Sequence, residues 1–185
     1  MGRQLIPLRK RFFVGCEGES ERSYVKFLYE LAKSEDKAVH LDAHLLKEGD
    51  PLSRIEFAIK LVKRSQNVHR RYSAKFVILD YDQYGLDPRR TRRAEDMAKE
   101  NEIAIVWQRP DHEGFLCRHF EYLRDRQILN KRESSSTLEV AWPNYAKNQT
   151  AIQIQKILSI KNVLGAADAL PEFKRLLAAI GFLED

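Results

Sequence analysis

Hydrophobic and polar positions along this chain switch repeatedly between a strand period and a helix period. Phe12-Phe13-Val14 is a short apolar run that ends in Gly15-Cys16-Glu17-Gly18-Glu19. Beyond it Tyr24, Phe27, Leu28 and Leu31 recur at helical spacing. The pattern predicts a strand over about 11–16, an acidic turn and a helix over about 20–32, with Ser20 as candidate N-cap. Residues 40–46 alternate, with Leu41, Ala43 and Leu45 on one side, as a half-buried strand does. In Gly49-Asp50-Pro51, Asp50 suits a cap and Pro51 a first helical position, and Ile55, Ala58, Ile59 and Val62 form the stripe of the helix that follows. Phe76-Val77-Ile78-Leu79 has the continuous apolar character of a central strand covered on both faces, and it ends in Asp80-Tyr81-Asp82. A loop around Gly85, a helix over about 89–100 and a strand over about 103–107 follow.

This order of strand, helix, strand, helix, strand, helix, strand predicts an α/β fold, a mostly parallel Rossmann-like sheet with helices on both faces. After Pro110 the pattern changes. Phe115, Leu116, His119, Phe120 and Leu123 mark a helix, the polar stretch 130–136 reads as a flexible loop, and 137–142 reads as strand or loop. Two helices are expected over about 149–158 and 170–180, the last opened by Pro171 and closed by Gly181. The expected division is an α/β core over 11–129, preceded by a loose arm over 1–10. A mostly helical C-terminal extension over 137–185 packs on that core.

Composition narrows the classes. The chain has 185 residues, enough for one sizeable core, and 43% of them are hydrophobic, which argues against disorder. No run approaches the roughly 20 apolar residues of a membrane span, and no apolar signal core follows the first basic residues, so a cytoplasmic location without membrane is expected. Cys16 and Cys117 are the only cysteines, too few for a disulfide framework or a structural zinc site, and both sit among apolar residues. The net charge is +5, and the excess is clustered. Lys60, Lys63, Arg64, Arg70 and Arg71 form one basic stretch, and Arg89, Arg90, Arg92 and Arg93 another just past Asp82. Each stretch suits a polyanion such as DNA or RNA, and each equally suits a solvated face.

The candidate chemistry is acidic. Glu17 stands at the carboxyl end of the first strand and Asp80 at that of the third, where open α/β sheets keep their ligands. On a continuing strand Asp80 and Asp82 would face one side with Tyr81 opposite. Together with Glu17 they supply hard oxygen ligands for Mg²⁺ or Mn²⁺. Such carboxylates raise one another's pKa, and a divalent cation relieves the repulsion. A D-x-D pattern is common, however, and Asp80 also suits a cap of the following loop. Glu19 and Glu21 fall in a first helical turn, where the helix dipole favours acids; Glu21 is also within reach of the cluster. Glu113 is a further candidate ligand or base, and His112 a candidate phosphate contact. Lys147, in Trp142 to Gln149, suits either a scissile phosphate or plain solvent. His119 reads as a packing residue. There is no G-x-x-x-x-G-K-[ST], no G-x-G-x-x-G with an acidic partner and no G-x-S-x-G, and no zinc-ligand spacing appears.

These residues carry a family resemblance. "FFVGCEGESERSYVKFL" resembles the first motif of the Toprim domains of RloB-like proteins and, more distantly, of overcoming-lysogenisation-defect nucleases; Glu17, Gly18, Glu19 and Glu21 occupy it. "FVILDYD" resembles the later aspartate motif, carried by Asp80 and Asp82. "RPDHEGFLCRHF" is similar to the stretch around a phenylalanine-glutamate pair, with Glu113, Phe115, His119 and Phe120 in matching places, although His112 replaces an aromatic residue and Gly114 a bulky one. "YAK" at Tyr145 to Lys147 resembles a late tyrosine-lysine element. The resemblance implies a Toprim fold and divalent-metal nuclease chemistry, often in bacterial or archaeal defence and often beside an ATPase partner. It implies a metal ligand or general acid/base at Glu17, metal held by Asp80 and Asp82, assistance from Glu21 and Glu113, and a phosphate contact at Lys147. The alternatives are a nucleic-acid-binding subunit completed by that partner, a nucleotidyl or phosphotransfer enzyme with the same site, and a binder of small nucleotides. A homo-oligomer is compatible with any of them.

Overall fold

The computed structural model describes residues 8–66 and 71–183. Arg70 of the first basic stretch and residues 1–7 of the expected arm lie outside the described residues. Strands β1 (Lys10–Cys16), β2 (Val39–Leu45), β3 (Ala74–Asp80) and β4 (Ile103–Gln108) form one parallel sheet in the order β2-β1-β3-β4. Helix α1 (Glu19–Ser34) joins β1 to β2, α2 (Pro51–Gln66) joins β2 to β3, and α3 (Pro88–Glu100) joins β3 to β4. The chain moves outward from β1 to β2, then back across β1 to β3 and on to β4. Right-handed crossovers in opposite directions place their helices on opposite faces. Accordingly α1 packs on one face, with Phe12, Val14, Phe76 and Ile78. Helices α2 and α3 pack on the other, with Phe13, Val77 and Leu79. The crossover direction reverses between β1 and β3, so their carboxyl ends diverge into a cleft.

The C-terminal third closes the α1 face. Helices α4 (His112–Cys117), α5 (Lys131–Ala141), α6 (Ala151–Gln155), α7 (Ile160–Ala169) and α8 (Pro171–Ala179) contribute Phe115, Leu138, Ile154, Val163 and Phe173 to the cluster that holds Tyr24 and Phe27. Phe173 meets Phe115 edge-on at 5.0 Å between ring centroids. His119 is buried in this cluster, its Nε2 2.6 Å from the Tyr24 hydroxyl, and burial pushes its pKa down to about 3. Both cysteines are buried. No helix among the described residues is long and apolar enough to cross a membrane.

Several expected elements differ. Residues 130–136 are not a flexible loop, nor 137–142 a strand or loop, because α5 spans both. Its buried face is Ser134, Thr137 and Leu138, so hydrophobic periodicity is almost silent there. The Ser134 hydroxyl is satisfied by Asp111 at 2.7 Å, and Asn130 caps the helix by accepting the Glu133 N–H. The helix expected from Phe115 to Leu123 stops at Cys117, and the Arg118 guanidinium then gathers the carbonyls of Leu123, Arg124 and Arg126. The tail holds three helices where two were expected, α7 being the addition.

Candidate active site

The site sits at the reversal point between β1 and β3. Ser20 is not the N-cap of α1; Gly18 holds that position, and Glu21 at the third helical position accepts the Gly18 N–H at 2.8 Å. That bond pulls Glu21, 5% exposed, back toward the end of β1. Glu17, one residue beyond the strand, reaches sideways. Its Oε2 accepts the main-chain N–H of Asp80 at 2.9 Å and its Oε1 lies 3.0 Å from the Arg54 guanidinium. Burial raises the Glu17 pKa, opposed in part by the Asp80 N–H and by Arg54.

Asp80 ends β3 and takes the strongest perturbation of these acids. Burial, and then the negative charges of Glu17, Glu21, Asp82 and Asp111, push its pKa up to about 9. Asp82 does not share a strand face with it. The strand stops at Asp80, and Tyr81–Gln83 form a 3-10 turn that leaves Asp82 exposed. Its charge still reaches both Asp80 and Glu17.

Two residues absent from the sequence reading complete this centre. Gln108, the last residue of β4, lies directly beside Asp80 in the register and is fully buried. With its amide turned so that the nitrogen faces the acids, it donates to Glu21 Oε1 at 3.3 Å and to Asp80 Oδ1 at 3.1 Å, while its oxygen accepts from His112 Nδ1 at 2.9 Å. Arg54, in the first turns of α2 and 7% exposed, also donates to Gln83 at 3.4 Å, and its Nε is buried without a partner. The signal for Gln108 was its place at a strand end beside the Asp80 strand. The signal for Arg54 was an arginine next to Ile55 on an otherwise apolar stripe.

The start of α4 forms the opposite wall. Asp111 caps it, accepting the Gly114 N–H at 2.9 Å. A Cβ on Gly114 would lie 2.5 Å from the Pro110 ring and 2.8 Å from the Arg109 carbonyl, so glycine lets α4 close onto the end of β4. His112 is buried, faces Gln108 and lies 3.3 Å from Glu21, and it does not present itself to solvent as a phosphate contact. Glu113 is buried too; the Tyr145 hydroxyl donates to it at 3.4 Å and Lys147 Nζ lies 3.8 Å from the same oxygen. Burial and then Glu113 raise the Tyr145 pKa. The Tyr145–Lys147 segment is tied down where the Asn148 N–H meets the Ser20 hydroxyl at 3.3 Å. Ser20 therefore anchors this loop.

The donor set suits a hard cation, and the upward shift of Asp80 is the electrostatic condition such an ion relieves. Among the described residues no three acidic, histidine or cysteine side chains converge closely enough to hold a metal. Glu17 is turned to Arg54 and Glu21 to Gly18, so ion binding requires these two carboxylates to swing. Of the basic positions, Lys60, Lys63, Arg64, Arg71, Arg89, Arg92 and Arg93 are exposed, and Arg90 pairs with Asp50. Those on α2 and α3 lie on one side of the sheet, since the two helices share that face.

The chain matches the family model described as RloB-like protein over residues 12–180. No curated protein and no solved structure matches it. With the match covering nearly all of the α/β sheet, the candidate site and the C-terminal helices, this chain belongs to the RloB-like family.

Proposed function

We propose that this protein is a divalent-metal-dependent nuclease that hydrolyses phosphodiester bonds, with a Toprim-like site and a role in bacterial or archaeal defence. The observation that carries the reading is the burial of Asp80 amid Glu17, Glu21, Asp82 and Asp111 at the reversal point of the sheet; burial first, and then those charges, push Asp80 up to about 9. Such a concentration of negative charge costs stability unless a cation enters it. Mg²⁺ or Mn²⁺, when bound by Glu17, Asp80 and Asp82 with help from Glu21, supplies electrophilic assistance to displacement at phosphorus.

The chain's own groups divide the remaining work. Gln108 holds Asp80 and Glu21 in place and is itself held by His112. Glu113, poised between Tyr145 and Lys147, is a candidate for moving a proton at the attacking or leaving oxygen. Lys147, mostly exposed, is the candidate contact for the scissile phosphate. The exposed arginines and lysines of α2 and α3 supply non-specific attraction for the DNA or RNA backbone.

The test is cleavage of single- and double-stranded DNA and RNA in Mg²⁺ and in Mn²⁺, with Asp80→Asn and Glu17→Gln beside the wild type. Metal-dependent cutting that both substitutions abolish supports the reading; cutting that survives both overturns it. A second reading, a nucleic-acid-binding subunit completed by an ATPase partner, is favoured by one contact. Arg54 occupies Glu17, so the isolated chain holds its first carboxylate closed. Under that reading the chain alone binds nucleic acid and cuts nothing.

A further inference from the structure

Between α3, the edge strand β4 and α8 lies a groove of about 550 Å³ that no part of the reaction above uses. Its walls include three aromatic rings. Tyr81 and Tyr84 stack with centroids 4.4 Å apart and planes 17° from parallel. Trp107 meets them edge-on, 5.9 Å from Tyr81 and 5.3 Å from Tyr84. The Arg109 guanidinium lies 4.7 Å from the Tyr81 centroid. Both tyrosines are only partly buried, while Trp107 is 5% exposed and roots the cluster in the core of the α2–α3 face. The volume is that of an ordinary small-molecule site.

Three acids and three basic residues line the groove. Glu102 is paired with Lys75 and Glu172 with Arg109, while Glu95 faces the Tyr84 hydroxyl. Lys99 and Arg175 line the groove, are exposed and make no ion pair among the described residues. Aromatic faces beside unpaired cations are the combination that single-stranded nucleic-acid sites use, the rings taking the base and the cations its phosphate. The groove is also joined to the acidic centre by the chain itself. Tyr81 stands between Asp80 and Asp82, and Arg109 follows Gln108.

We propose that this groove is a nucleobase subsite that takes an unpaired base next to the scissile phosphate. The base packs against the Tyr81–Tyr84–Trp107 cluster and its phosphate meets Lys99 and Arg175. The placement next to a scissile phosphate rests on the nuclease reading; the affinity for a base does not. A base inside a duplex is already stacked and paired, so the subsite selects single-stranded, frayed or flipped substrates.

The experiment uses the full chain as Asp80→Asn in chelator, titrated onto a short single-stranded oligonucleotide carrying one 2-aminopurine. Binding is expected to quench the 2-aminopurine fluorescence. Tyr84→Ala in the same background is expected to remove the quench and weaken binding roughly five- to a hundredfold, while Tyr84→Phe preserves both. Arg175→Glu, an exposed change, is expected to weaken binding without removing the quench of the bound fraction. Thermal melting of each variant separates loss of binding from loss of fold, and Tyr84→Phe and Arg175→Glu keep the test decisive if Tyr84→Ala does not fold. An unchanged quench in folded Tyr84→Ala overturns the subsite, as does equal competition by an abasic oligonucleotide. A free mononucleotide competing as well as the oligonucleotide reassigns the groove to a soluble nucleotide and overturns the polymer claim. A wild type that cuts without quenching defeats the subsite alone. One that quenches yet never cuts defeats the nuclease reading alone.

Discussion

The Glu17 carboxylate accepts the main-chain N–H of Asp80 at 2.9 Å across 63 residues of sequence. This one bond joins the carboxyl ends of β1 and β3 and brings an acid from each to the point where the crossover direction reverses. It also means that the acidic centre is part of the fold's architecture as well as its chemistry, so stability and activity are linked there.

Asp80→Asn is expected to stabilise the metal-free protein while abolishing cleavage. With its folded pKa near 9 and an unfolded value of 3.8, Asp80 binds more proton in the folded state over that window. Its contribution to stability is therefore full below the unfolded value and is lost as pH rises toward 9, by up to about 1.4 kcal/mol per pH unit. Melting curves in chelator should fall with pH in the wild type more steeply than in the variant. Added Mg²⁺ should narrow the difference, if the ion binds where proposed.

Arg54→Gln leaves Glu17 buried without its cation. Removal of one partner from a buried pair costs about 3–5 kcal/mol, and Glu17 should become harder to ionise. Urea unfolding of Arg54→Gln, Glu17→Gln and the double variant checks this. The double variant should be more stable than the sum of the two single losses requires, because the uncompensated charge has gone.

His119 predicts an acid limb of the opposite sign. Its folded pKa of about 3 lies below the ordinary 6.5, so the unfolded chain takes up a proton that the folded chain refuses. Stability is full above about 6.5 and is lost as pH falls from there toward 3, again by up to about 1.4 kcal/mol per unit. Asp80 opposes this slope, so the measurement belongs in the Asp80→Asn background. There the melting temperature should drop with acid, and less steeply once His119→Gln removes the titrating group.

Gly114→Ala places a methyl group 2.5 Å from the Pro110 ring and 2.8 Å from the Arg109 carbonyl. The backbone cannot yield as a flexible side chain would, and a loss of about 1–3 kcal/mol is expected. Since α4 carries Asp111, His112 and Glu113, cleavage should fall more than stability alone explains. Activity measured well below the melting temperature separates the two.

Lys147→Ala should behave differently from all of these. Its side chain is 63% exposed and only 3.8 Å from Glu113, so the melting temperature should stay within error of the wild type. Cleavage should fall at least tenfold if Lys147 meets the phosphate. A full rate in this variant would move the phosphate contact elsewhere.

The order of strands and helices through β4 was legible in the sequence because each element carries its own period. Phe76 to Leu79 announces a strand covered on both faces, and Ile55, Ala58 and Val62 announce a helix, without reference to anything distant. The acidic strand ends were legible for the same local reason: Glu17 and Asp80 each follow an apolar run. The α5 helix was not legible, because its buried face carries Ser134 and Thr137, polar residues that do not announce burial, and the Ser134 hydroxyl is bonded by Asp111 from another element. Gln108 and Arg54 were hidden for a related reason. Neither residue type signals burial, and each gains its role only when parallel register sets Gln108 beside Asp80 and the crossover lays α2 over Glu17. Local periodicity is written in neighbouring residues. Which charges are forced together, and which polar groups are enlisted to hold them, is decided by contacts between segments far apart in the chain.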